Sequence, residues 1–134
     1  MSSSHLLSRI ARGRTDAILD LMQLPDWQDL LNEGTVKVLQ WLVYYDDLTA
    51  IKLVLQAGGS LDSISLDAEL GNAAFFGHWK ICDFLIQQGA NVNAHVDKTQ
   101  ETPLHNALAK AGRPHYFYTV RLLVEKGAEV NATT

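Results

Sequence analysis

The sequence predicts an all-α solenoid of stacked antiparallel helix pairs with connecting turn fingers, about four units in all, the first of them a degenerate N-terminal cap. Three observations lead there. Apolar residues recur at helical spacing, most clearly at Ile81, Cys82, Phe84, Leu85 and Ile86. Glycines follow the stripes at Gly58, Gly89 and Gly127, 31 and 38 residues apart, and similar exit strings surround them: Ala57-Gly58-Gly59, Gly89-Ala90-Asn91-Val92-Asn93 and Gly127-Ala128-Glu129-Val130-Asn131. Finally, a lone helix pair is too thin to hide its own apolar face, so each pair must stack on a neighbour.

The elements follow in order. Residues 5–33 read as the opening unit: Leu6, Leu7, Ile10 and Ala11 share one helix, Gly13 breaks it, and Ile18, Leu19, Leu21 and Met22 belong to a second. Its Ser and Arg content suits an outer, capping face, although Ser2-Ser3-Ser4 with Arg9, Arg12 and Arg14 also has the character of an organelle transit peptide. Leu24-Pro25-Asp26-Trp27 makes a turn, and Gln28 to Glu33 a short connecting helix before Gly34. The second unit spans residues 35–66 and the third 67–98, where Gly89 should be the left-handed residue that ends a helix. In the fourth, residues 99–134, Thr102 is an N-cap, Pro103 fits the first helical turn, and Gly112 separates two helices.

Thr102-Pro103-Leu104-His105-Asn106-Ala107 fits the T-P-L-H-x-A signature without a mismatch, and with Val120 to Asn131 behind it the chain resembles the ankyrin repeat family. The glycine spacings bracket that family's period of about 33. At the signature position the second unit has Lys37-Val38-Leu39-Gln40 and the third Ala68-Glu69-Leu70-Gly71, so only Leu is kept in all three. The fourth unit is padded by Arg113-Pro114-His115-Tyr116-Phe117-Tyr118, about one helical turn, which predicts a longer loop or extended helix start exposing some of these rings. No polar helix follows Leu122-Leu123-Val124, which leads us to expect either an array continuing past Thr134 or a last unit covered by a partner or second copy.

The chain's net charge of −4 is uneven, with two Lys against ten acids between residues 15 and 79. Such a field disfavours phosphate backbones and steers basic partners, so the expected partner is another protein with a basic surface, and neither nucleic acid nor membrane. Apolar runs are too short to span a bilayer. A lone Cys82 forms no internal disulfide, which places the expected setting in the cytoplasm.

By resemblance the binding face is the concave groove with its turn tips, and alignment puts there Tyr44 and Tyr45 with Trp41 one turn earlier, Phe75 and Phe76, and Lys110 with Ala111. Asp46 and Asp47 flank the first pair, and the tips add Asp62, Ser63, Ile64, His95, Asp97, Lys98, Gln100 and Glu101. Two readings of the aromatics stand: a binding hot spot of rigid rings, or packing between adjacent repeats. Trp27 and Trp79 are expected to pack. The function expected is protein binding without catalysis or cofactor, with two alternatives: the N-terminal part of a longer structural array, or an inhibitor or immunity-type protein for a basic enzyme. His78 and Cys82 have the four-residue spacing of two ligands on one helix face, but His78 sits at the family's Gly-His position and Cys82 on the apolar stripe. His105 belongs to the signature and by resemblance hydrogen-bonds turn backbone. No phosphate loop, paired-Cys zinc pattern or nucleophile elbow occurs.

Overall fold

A computed structural model describes residues 3–27, 38–59, 61, 64–95, 102–108 and 116–128. The connecting helix expected over 28–33 lies outside them, as do the tips at 62–63 and 96–101, the segment 109–115 and the chain's last six residues. The described residues are helical, joined by turns, and the chain divides into two compact units, Met1–Ile64 and Ser65–Thr134.

In the first unit α1 (Ser3–Ala11) packs on α2 (Ala17–Leu21). Leu6, Ile10, Ile18 and Leu21 are buried as the spacing predicts, whereas Leu19 faces solvent, because on so short a helix the buried stripe is already filled by Ala17, Ile18 and Leu21. The helix over residues 38–44, α3, buries Val38, Leu39, Leu42 and Val43, and α4 (Leu48–Gln56) buries Ala50, Ile51 and Val54. Asp46 takes the left-handed conformation, φ 60°, that ends α3, and the carboxylate of Asp47 accepts the Ala50 N–H at 2.9 Å to cap α4. The two acids expected to flank a groove thus build the turn between helices.

In the second unit α5 (Leu66–Phe76) packs against α6 (Trp79–Gln87) and α7 (Pro103–Leu108), and α8 (Tyr116–Glu125) covers α6 and α7. Helix α5 begins before the position aligned with the Thr of the signature: Ser65 supplies the cap, its hydroxyl accepting the Ala68 N–H at 3.2 Å. The one signature residue common to all three units has a plain reason, since Leu39, Leu70 and Leu104 are all core residues.

The exit glycines work as predicted. After α6 the Ala90 N–H reaches back to the Leu85 carbonyl at 3.0 Å and the Gly89 N–H to that of Ile86 at 3.0 Å, the Schellman pairing that satisfies the helix's last carbonyls. After α8 the Ala128 N–H repeats it to Leu123 at 2.9 Å and the Gly127 N–H to Val124 at 3.1 Å. Gly89 has φ +111° and a Cβ built there would meet nothing within 4 Å, so a side chain would strain the backbone without crowding a neighbour. Gly89→Ala is therefore expected to cost about 1 kcal/mol after the smaller entropy of the unfolded Ala chain is allowed for, as read from urea melts.

Side-chain hydrogen bonds tie successive pairs of the second unit together. The Asn93 amide donates to the Gly127 carbonyl at 3.0 Å, and the Asn106 amide to the Gly71 carbonyl at 3.1 Å. Within the α5–α6 pair the Asp67 carboxylate accepts the Asn91 N–H at 2.7 Å, and between pairs the Lys126 ammonium stands 3.5 Å from the Asp83 carboxylate.

Candidate protein-binding surface

Tyr44 and Tyr45 sit where α3 ends, in T-shaped contact at 4.9 Å between ring centroids. Tyr44 is 53% exposed. Tyr45 leans over Gly13, and its hydroxyl donates to the Ala11 carbonyl at 2.8 Å, holding one of the last carbonyls of α1. Its edge is therefore committed to the fold while part of its ring stays in water. Trp41, one turn earlier, is half-buried.

The last two residues of α5 form the corresponding pair. Phe75 and Phe76 meet edge to face at 5.2 Å, and the imidazole of His78 stacks on Phe76 at 5.8 Å. Both rings remain more than a third exposed, although a phenyl ring has no polar edge to offer water. Helix α5 ends here because Gly77, φ 76°, lets the His78 N–H turn back to the Ala73 carbonyl at 2.9 Å. Each pair is thus presented at the inter-helix turn of its own unit. Of the turn-tip residues His95 is exposed and Ile64 half-buried. Asp97, Lys98 and Lys110, with Ala111, lie outside the described residues.

Trp79, expected to pack, packs only in part. It is 37% exposed on the solvent face of α6, because Ile81, Cys82, Phe84 and Leu85 already fill that helix's buried stripe. Its ring lies 6.0 Å from that of Tyr118, beside a shallow cavity of about 200 Å³ lined by Trp79, Tyr118, Arg121, Leu122 and Glu125. Trp27 is half-buried. The padding of the last unit divides as expected into covered and uncovered rings: Phe117 and Tyr118 are exposed, while Tyr116 is buried with its hydroxyl donating to the Phe75 carbonyl at 2.7 Å. Nothing in the sequence marked that bond, which joins residues 41 positions apart.

The residues with chemical potential are built into the fold. Cys82 is buried in the core stripe of α6, and Nδ1 of His105 accepts the Thr102 N–H at 3.0 Å within its own turn.

The family model for ankyrin repeats in three copies matches residues 39–134. The chain belongs to the ankyrin repeat family. A protein of Rickettsia felis named for its ankyrin repeats is 30% identical over 100 residues, which cover 75% of this chain. The match spans 39% of that relative's length. Ankyrin repeats generally serve as protein-interaction modules and are typically non-catalytic. No helix among the described residues of this ankyrin protein is long and apolar enough to cross a membrane.

Proposed function

We propose that this ankyrin repeat protein binds another protein through the aromatic side chains that end its first helices, Tyr44 and Tyr45 in the first unit and Phe75 and Phe76 in the second. The observation that carries this reading is the exposure of Phe75 and Phe76 side by side. Rings without a polar group gain by leaving water, and rigid aromatic side chains give large contact area for little lost entropy. By resemblance Trp41, Asp97, Lys98 and Lys110 are proposed as further contact residues. The chain acts by binding alone, and the absence of a second Cys to pair with buried Cys82 supports a cytoplasmic setting.

The test is retention of a partner from host lysate on the immobilised chain, compared with a Tyr44→Ala, Phe76→Ala double variant whose melting is unchanged. Tyr45 is left intact because its hydroxyl holds the Ala11 carbonyl. Loss of at least tenfold in retained partner is expected if these rings are hot spots. Equal retention would move the binding face away from the first-helix ends.

A further inference from the structure

The second unit carries a different exposed surface, on α6 and α8, outside the aromatic pairs described above. Trp79 and Tyr118 form its floor, and Phe117 continues it, in T-shaped contact with Tyr118 at 5.7 Å. The adjoining cavity of about 200 Å³ falls below the roughly 300 Å³ at which small-molecule and cofactor sites begin, yet holds one large apolar side chain. Size therefore selects a peptide side chain over a cofactor.

Charge selects the peptide. Lys80 lies beside the Trp79 ring, Arg121 and Glu125 line the cavity, and Asp83 on α6 pairs with Lys126 just past the end of α8. Both acids are engaged: Glu125 accepts from Arg121 at 2.9 Å, and Asp83 lies 3.5 Å from Lys126 and accepts from Gln87 at 3.2 Å. Lys80 joins no ion pair among the described residues; its ammonium lies 5.6 Å from the Trp79 ring centroid. This face is left with one uncompensated positive charge on a chain whose net charge is −4. A carboxylate arriving beside Trp79 meets Lys80 while its neighbouring apolar side chain enters the cavity. A basic segment would meet Lys80 with like charge, the Arg121 charge being offset by Glu125.

We infer that the Trp79–Tyr118 face is a second docking surface, for an acidic peptide segment bearing one large apolar side chain. It stands independently of the proposed first-helix site, since none of the five residues lining the cavity belongs to that site.

The probe is the acetylated, amidated peptide Asp-Glu-Phe-Asp-Glu, titrated into the isotopically labelled full chain at low salt. Its controls are Lys-Lys-Phe-Lys-Lys and Asp-Glu-Ser-Asp-Glu. The acidic phenylalanine peptide should give saturable shifts at the Trp79 indole N–H and along α8, half-complete at about 1 mM or below. Lys80→Glu, which reverses an exposed charge and removes the ammonium from the Trp79 ring, should weaken binding about tenfold, and Trp79→Ala at least as much. The Tyr44→Ala, Phe76→Ala variant should bind the peptide as the wild type does, so that failure of either site is seen separately. The inference is overturned by equal binding of the basic peptide, by an unchanged affinity in Lys80→Glu, or by shifts that never saturate. It is equally overturned if the face proves to be occupied by a second copy, seen as concentration-dependent mass that Trp79→Ala abolishes.

Discussion

Tyr116→Ala is expected to destabilise the second unit by about 3–5 kcal/mol, the range for removing a buried aromatic ring. The ring is 3% exposed at the start of α8, so truncation opens a cavity between that helix and the end of α5. Tyr116→Phe separates the hydroxyl from the ring. Phe75 lies in the last turn of α5, where carbonyls lack a partner within the helix, and the 2.7 Å bond from Tyr116 supplies one. Its loss should cost about 1 kcal/mol. Tyr45→Phe is the natural comparison, because Tyr45 makes the same kind of bond to the end of α1 at 2.8 Å but at an exposed site. Water can replace that hydroxyl, so the expected cost falls to about 0.5 kcal/mol or less. Chemical melts of the three variants check the order Tyr116→Ala, Tyr116→Phe, Tyr45→Phe. Hydrogen exchange should show protection lost first in α8, since a stack is stabilised by nearest-neighbour contacts. A Tyr116→Phe variant as unstable as Tyr116→Ala would mean that the bond, and not the ring, anchors the helix.

How far the fold could be read from the sequence depends on the range over which each feature acts. The exit glycines were legible because a left-handed residue is a local demand, met by Gly89 and Gly127 whatever lies around them. The same demand at the end of α3 is met by Asp46, whose side chain tolerates φ 60°, and so its structural role was masked by its charge. The helical stripe of Ile81, Cys82, Phe84 and Leu85 was legible because burial follows the 3.6-residue period. Trp79 was expected to pack and does so only in part, because Ile81, Cys82, Phe84 and Leu85 already fill the buried stripe of its helix. Tyr116 was invisible for another reason: its partner is a main-chain carbonyl, and carbonyls leave no mark in sequence. The first-helix pairs could be placed at the turn by counting back from Gly77, yet their exposure depended on packing that counting does not supply.

The signature itself gives the second large effect. Thr102 precedes α7, and His105 stands three residues later, the spacing of a capping box. Nδ1 of His105 accepts the Thr102 N–H at 3.0 Å, and the His105 N–H points to the Thr102 hydroxyl at 3.4 Å, so the two residues satisfy each other. Since Nδ1 is the acceptor, the proton of the neutral ring belongs on Nε2. Thr102 is 2% exposed, and its N–H would have no water to turn to if the imidazole were removed. His105→Ala is therefore expected to cost about 2 kcal/mol, from an unsatisfied buried donor together with lost packing. His105→Gln places a side-chain carbonyl at the same position of the box and should recover about half of that loss. His105→Leu fills the space without an acceptor and should not recover it. Urea melts of the three, with the exchange rate of the Thr102 amide as a local readout, decide between capping and filling. Leucine restoring what glutamine does not would assign His105 to packing, and the T-P-L-H string would then be a volume pattern rather than a hydrogen-bonded one.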